Sequence, residues 1–304
     1  MKRSAIDVIR RGFDNALANW PLILIRIAEG VVFGVIVIGA IIAAVVPVLV
    51  TAGFSNDVDY RNPENVAVLI VGLFVEHWIL VLYLFALFVL ILGVLMAIHS
   101  FVEAGCARIY IDGERTAGFK AFAAERWLRG GVGGWWAVFW IYNLAWSVGA
   151  LILLGPLVLT MAGMLAVGGP AGRVAIGCAG LAVTLLLLLP MALLIGMWTQ
   201  KAIVVSVART LGAAEALRAA RREIKLDFGR HLAVALVLMV IGVIAATVVS
   251  GVSFPFSLGQ NRHAGFFPLI FAPVQFALMF VQSIASAAVH AWSLASFVAL
   301  TEER

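Results

Sequence analysis

The sequence predicts an all-α, polytopic membrane protein, and three observations predict it. Only 12% of its 304 residues are charged and 63% are hydrophobic, whereas a water-soluble domain is about 25% charged. There is too little polar surface to wrap a core in water. Apolar runs long enough to cross roughly 30 Å of hydrocarbon, about 20 residues at 1.5 Å each, occur six times. Basic residues alternate between dense and sparse loops, as they do across a bilayer. Segments facing lipid must satisfy their own backbone hydrogen bonds, so each run is predicted to be a helix and no substantial sheet is expected.

The spans are placed near 20–51, 78–101, 135–165, 174–199, 231–254 and 268–297. The first follows an amphipathic, Arg-containing stretch, outruns a signal-peptide core and carries Arg26 and Glu29 within it, so it is not read as a cleaved signal. The N-terminal stretch, the loops near 101–134 and 200–230 and the tail hold 17 of the 21 Lys and Arg residues. Arg61, Arg173 and Arg262 fall on the other side. Both termini are therefore expected in the cytoplasm, with the bacterial inner (cytoplasmic) membrane as the expected location. The net charge of +5 reads as topology plus attraction to anionic headgroups, with no nucleic acid as partner. Cys106 and Cys178 are distant in sequence and read as small buried apolar residues.

One integral domain, 1–304, is expected to contain three internal repeats, near 3–112, 115–208 and 209–300. Each begins with Arg followed by Ser or Thr (Arg3-Ser4, Arg115-Thr116, Arg209-Thr210), continues as a basic amphipathic helix and ends in two spans. Ser4, Thr116 and Thr210 are expected N-caps, with Asp7 completing a capping box at Ser4. Ile6, Ile9, Phe13 and Leu17 share one helix face in the first copy, and Leu217, Ala220, Ile224 and Phe228 in the third. The middle copy keeps the composition, with Phe119, Phe122 and Trp127, but not the spacing. Such helices are expected in the plane of the headgroups. Arg10, Arg11, Lys120, Arg126, Arg129, Arg218, Arg221, Arg222 and Lys225 are the candidate contacts to anionic lipid, and Trp20, Trp127, Trp135 and Trp136 the interface anchors. Pro47, Pro156 and Pro255 are expected to end or kink the first span of each pair near its outer end. Gly168-Gly169-Pro170 reads as a tight outer turn, and Asn65 to Val75 as a short extra helix in a longer outer loop.

Ionisable residues within spans are expensive and are candidates for function by default. Arg26 and Glu29 (i, i+3) form a polar lining or an internal ion pair. His99 and Glu103 (i, i+4) could be two ligands of a metal, but no third or fourth ligand has suitable spacing, so an interfacial His–Glu pair is expected. Lys201, beside Gln200, and His290 lie at inner ends of later spans. If Arg26, Glu29, His99, Glu103, Lys201 and His290 converge, they form a cytoplasm-facing polar vestibule. Asn143, Gln275 and Gln282 are expected to bond between helices, and Gly34, Gly39, Gly177, Gly180 and the Ser283 to Ala287 stretch to let helices approach. No phosphate-binding loop, nucleophile elbow or zinc-binding helix motif is present, so no catalytic residue and no cofactor is expected.

The N-terminal helix running into Trp20-Pro21, and the stretch Arg209-Thr210-Leu211-Gly212 through Glu215-Ala216-Leu217 to Arg221-Arg222 and Phe228, resemble bacterial six-helix membrane proteins. These are similar to the membrane domain attached to some glycerophosphodiester phosphodiesterases. The catalytic His-Arg-Gly and Glu-Asn-Thr pair of such enzymes is absent, so hydrolysis does not carry over. The resemblance implies a membrane module. The residues themselves point to a non-enzymatic protein that organises membrane or handles lipids or other amphiphiles, with anionic headgroups as partners. The alternative is a transporter or channel using the six charged residues above.

Overall fold

The structure, a computed structural model, describes residues 3–52, 76–116, 118–167, 169–262 and 267–303. Within these are eight helices and no strand: α1 (Ala5–Ala18), α2 (Pro21–Ala52), α3 (Trp78–Glu114), α4 (Ala124–Ala166), α5 (Pro170–Arg209), α6 (Ala213–Leu226), α7 (Phe228–Arg262) and α8 (Phe267–Thr301). Six of them, all but α1 and α6, are long and apolar enough to span a membrane. The all-α polytopic fold is the one the sequence predicts. Gly168, most of the outer loop with its expected helix at Asn65 to Val75, and the outer connection at 263–266 lie outside the described residues.

The chain divides into two compact units, Met1–Ile27 with Ser100–Arg304, and Ala28–His99. Helix length explains where the first unit keeps its core. At 1.5 Å per residue, the 43 residues of α4 and 40 of α5 reach about 60 Å, twice the hydrocarbon thickness. The surplus gathers at the start of α4 and the finish of α5. Burial runs along α3 from Ser100 to Gly113, along α5 from Ile195 to Val207 and along α8 from Ala287 to Thr301. Farther out, Leu151 and Leu154 on α4 and Leu181, Leu185 and Leu188 on α5 are exposed, a surface suited to lipid tails. In the second unit Glu29 alone is buried among the described residues.

The three segments that the sequence reads as repeat starts take comparable supports in the first unit. Helix α1 packs on α8 and α6 packs on α5. The start of α4 packs on α3, where Trp127 meets Gly105 and lies edge-on to Phe101 at 5.4 Å. The second and third of these segments thus rest on the span just before them in the chain, and α1 rests on the last span.

Several expectations change. The segment expected as the middle amphipathic helix is not a separate one: residues 124–129 are the first turns of α4, with no proline between them and the span to end the helix. Ser4 caps α1 in a complete box, its hydroxyl accepting from the Asp7 amide at 3.1 Å while Asp7 accepts from the Ser4 amide at 3.2 Å. Thr116 and Thr210, however, end helices rather than start them. Thr116 donates back to the Gly113 carbonyl, and Thr210 sits at left-handed φ 53° as the C-cap of α5, leaving Gly212 as the N-cap of α6. Pro47 and Pro156 lie inside continuous helices, and α7 continues through position 255. Gly169, at φ +99°, supports the turn into Pro170, a conformation that glycine tolerates without steric cost. Asn143 donates to Phe139 of its own helix, Gln282 is exposed, and the Gln275 side chain lies outside the description. Gly180 and Gly177 do bring α5 against Thr160 and Met164 of α4, whereas a Cβ at Gly34 or Gly39 would meet nothing. Cys106 is buried but Cys178 is exposed.

Candidate functional site

Each of the residues expected to line one vestibule has an ion-pair partner. Arg26, which α2 carries just inside its start, pairs with Glu103 of α3, and both side chains are buried. His290 of α8 places Nε2 3.0 Å from the same carboxylate. In the other unit, Glu29 of α2 receives His99 Nδ1 of α3 at 2.7 Å. These pairings join helices.

Lys201 belongs elsewhere. Its ammonium donates to Thr301 of α8 at 2.9 Å and lies 3.0 Å from Glu223 of α6, which also accepts from Arg209 at 2.6 Å. His290 and Thr301 are eleven residues apart on α8, about 16 Å along a helix. The Lys201 and Arg26 groups therefore attach to α8 at different levels. Lys201 is 1% exposed, so it does not snorkel to the headgroups.

Burial acts to raise the Glu223 carboxyl, but Lys201 and then Arg209 overcome it, holding its pKa below the usual carboxylate range. A depressed carboxyl contributes stability that is present above its unfolded-state value and lost as pH falls through the folded-state value. Docking of α6 is thus expected to hold from neutrality to about pH 5 and to loosen only below about pH 4. Amide exchange across 213–226 checks this, and Glu223→Gln should show the loosened pattern already at neutral pH. Loss of protection in the native protein between pH 7 and 5 would contradict it.

Helix α1 divides into three faces. Val8, Gly12, Asn15 and Ala16 are buried against protein; Asp7, Arg10 and Asp14 are exposed and polar; Ile6, Phe13 and Leu17, seven and four apart, are exposed and apolar. Gly12 permits contact with Ser296 of α8, Trp292 of α8 donates to the Ile9 carbonyl at 2.8 Å, and its ring lies 5.0 Å from that of Phe13. A parallel device holds α6: Trp198 of α5 donates to the Leu217 carbonyl at 2.9 Å. The apolar face of α6 is spent differently, since Leu217, Ala220 and Ile224 are buried. Only Phe228 of the expected stripe is exposed, together with Leu226 outside it.

Of the candidate headgroup contacts, Arg10, Lys120, Arg126, Arg129, Arg218, Arg221, Arg222 and Lys225 are exposed. Arg11 instead binds Glu114 at 2.8 Å and covers the Phe119 ring. Trp20 and Trp136 are exposed as anchors would be; Trp135 is half-buried and Trp127 is committed to packing.

Sequence reasoning missed a clamp made by Asn15 and Asn19, both fully buried. Asn19 accepts from the Ala121 and Phe122 amides and donates to the Phe119 carbonyl, while Asn15 donates to the Tyr110 carbonyl. It missed the acidic ties as well: Glu302 receives Arg115, Glu303 receives Arg3 and Arg230, and Glu114 receives Arg3. The four-residue spacing of two asparagines beside an apolar stripe was the available signal. Among the described residues no group of three His, Cys, Asp or Glu side chains could hold a metal. Set against family models, curated proteins and solved structures, this six-span chain matches none of them.

Proposed function

We propose that the protein is a non-enzymatic membrane module that organises the cytoplasmic leaflet or handles lipids or other amphiphiles. We place it in the bacterial inner membrane with both termini cytoplasmic. The observation that carries the reading is the uncovered stripe Ile6, Phe13 and Leu17, bordered by exposed Arg10 and Asp14 on the same helix. A helix with one face docked, one apolar face open and one charged face open suits the boundary between headgroups and acyl chains. Within the first unit the Arg26–Glu103–His290 group and the Lys201 group meet α8 at different levels, which favours this over a transport path that needs its charged residues around common water.

The test uses the whole protein in nanodiscs with single nitroxides on α1. Labels at 13 and 17 are expected to be reached mainly by lipid-soluble oxygen, and labels at 10 and 14 mainly by a water-soluble nickel complex. Preferential nickel access at 13 and 17 would remove the interfacial reading. Cysteines at 29, 103 and 290 are expected to resist a water-soluble maleimide; rapid labelling of all three would favour the transporter instead.

A further inference from the structure

We propose that the groove between the inner ends of α3 and α4 and the α5–α6 link binds the phosphate of an anionic phospholipid from the surrounding leaflet, an inference that rests on the lipid-handling reading. The groove, about 670 Å³, is walled by Arg108 of α3, by Arg126, Arg129 and Trp136 of α4, and by Thr210 and Leu211 of the link. Glycines build it. Gly130 brings α4 against the Arg108 side chain, while a Cβ at Gly133 would meet nothing within 4 Å, so bare backbone faces open space there.

The charge is only partly answered within the protein. Arg108 has Asp112 at 3.4 Å, and Arg129 has Glu125 at 2.5 Å in a largely exposed pair. Arg126 forms no ion pair among the described residues. An exposed pair four residues apart on a helix holds weakly, leaving Arg129 able to turn toward a phosphate, which guanidinium groups grip with two parallel bonds.

The other end of the groove argues for a lipid over a free anion. Arg126 and Trp136 are ten residues apart on α4, about 15 Å, with exposed Trp140 one turn farther along. Indoles of this kind settle at headgroup depth. The groove therefore runs from Arg126 and Arg129 near the start of α4 to the Trp136 indole, at the level where acyl chains begin. A phosphodiester carrying chains satisfies both ends; inorganic phosphate uses only one.

The experiment reconstitutes the full chain in phosphatidylcholine nanodiscs doped with phosphatidylglycerol and counts anionic lipid retained on the purified protein by native mass spectrometry. Wild type is expected to retain phosphatidylglycerol saturably. Arg108→Gln/Arg126→Gln/Arg129→Gln is expected to weaken retention about tenfold or more, and Arg218→Gln/Arg221→Gln/Arg222→Gln, which removes the same charge from the headgroup-facing side of α6, to weaken it far less. Gly133→Leu, which fills the groove without altering charge, should also weaken retention and keeps the test decisive if the triple variant misfolds. Equal loss in both arginine triples would mean diffuse attraction and would overturn the site while leaving the proposed function standing. Unaltered retention in Gly133→Leu, or displacement of the lipid by millimolar inorganic phosphate, would also overturn it. Failure of the α1 depth measurement with the groove intact would instead count against the interfacial reading.

Discussion

Replacing Glu103 with alanine is expected to destabilise the inner-end core by about 3–5 kcal/mol, the cost of stranding a buried partner charge. Arg26 keeps its fixed positive charge in a protein-covered position, and His290 loses its acceptor. The thermal midpoint of the detergent-solubilised protein, followed by tryptophan fluorescence, should fall sharply. Arg26→Met/Glu103→Leu should recover most of the loss, since apolar residues of similar volume often substitute for a buried ion pair without penalty. A Glu103→Ala protein as stable as the parent would show that the pair is open to water. That result would revive the transport reading.

Asn19→Leu is expected to cost about 3–5 kcal/mol by a different route. It leaves the amides of Ala121 and Phe122 and the carbonyl of Phe119 without the Asn19 side chain that bonds them, each buried group costing about 1–3 kcal/mol when unpaired. The segment before α4 holds Phe119 at left-handed φ 60°, a conformation disfavoured for a bulky residue, so it depends on such external bonds. Faster amide exchange at 119–123, together with proteolysis there, should appear in Asn19→Leu but not in Asn143→Leu, whose amide serves only its own helix. Equal protection in both variants would show that the loop holds itself.

The spans were legible because lipid imposes a simple composition rule on long stretches. The box at Ser4 and Asp7 was legible because all its atoms lie within one helical turn. The ties of Arg26 to Glu103 and of Glu29 to His99 were not, because each joins α2 to α3 across 77 and 70 residues. The clamp at Asn19 reaches about a hundred residues ahead, beyond any local periodicity. Helix α6 shows the same limit, since an amphipathic pattern identifies an apolar face without naming what covers it.

The sequence alone determined that this chain has six helices suited to a bilayer. That property follows from transfer free energies summed residue by residue. Only the tertiary structure decided that α1 leaves Ile6, Phe13 and Leu17 open while α6 buries Leu217, Ala220 and Ile224, and that the in-span charged residues close into ion pairs. Both depend on which distant helix end lies within a few ångströms, a fact that hydrogen bonding and packing register and that composition does not.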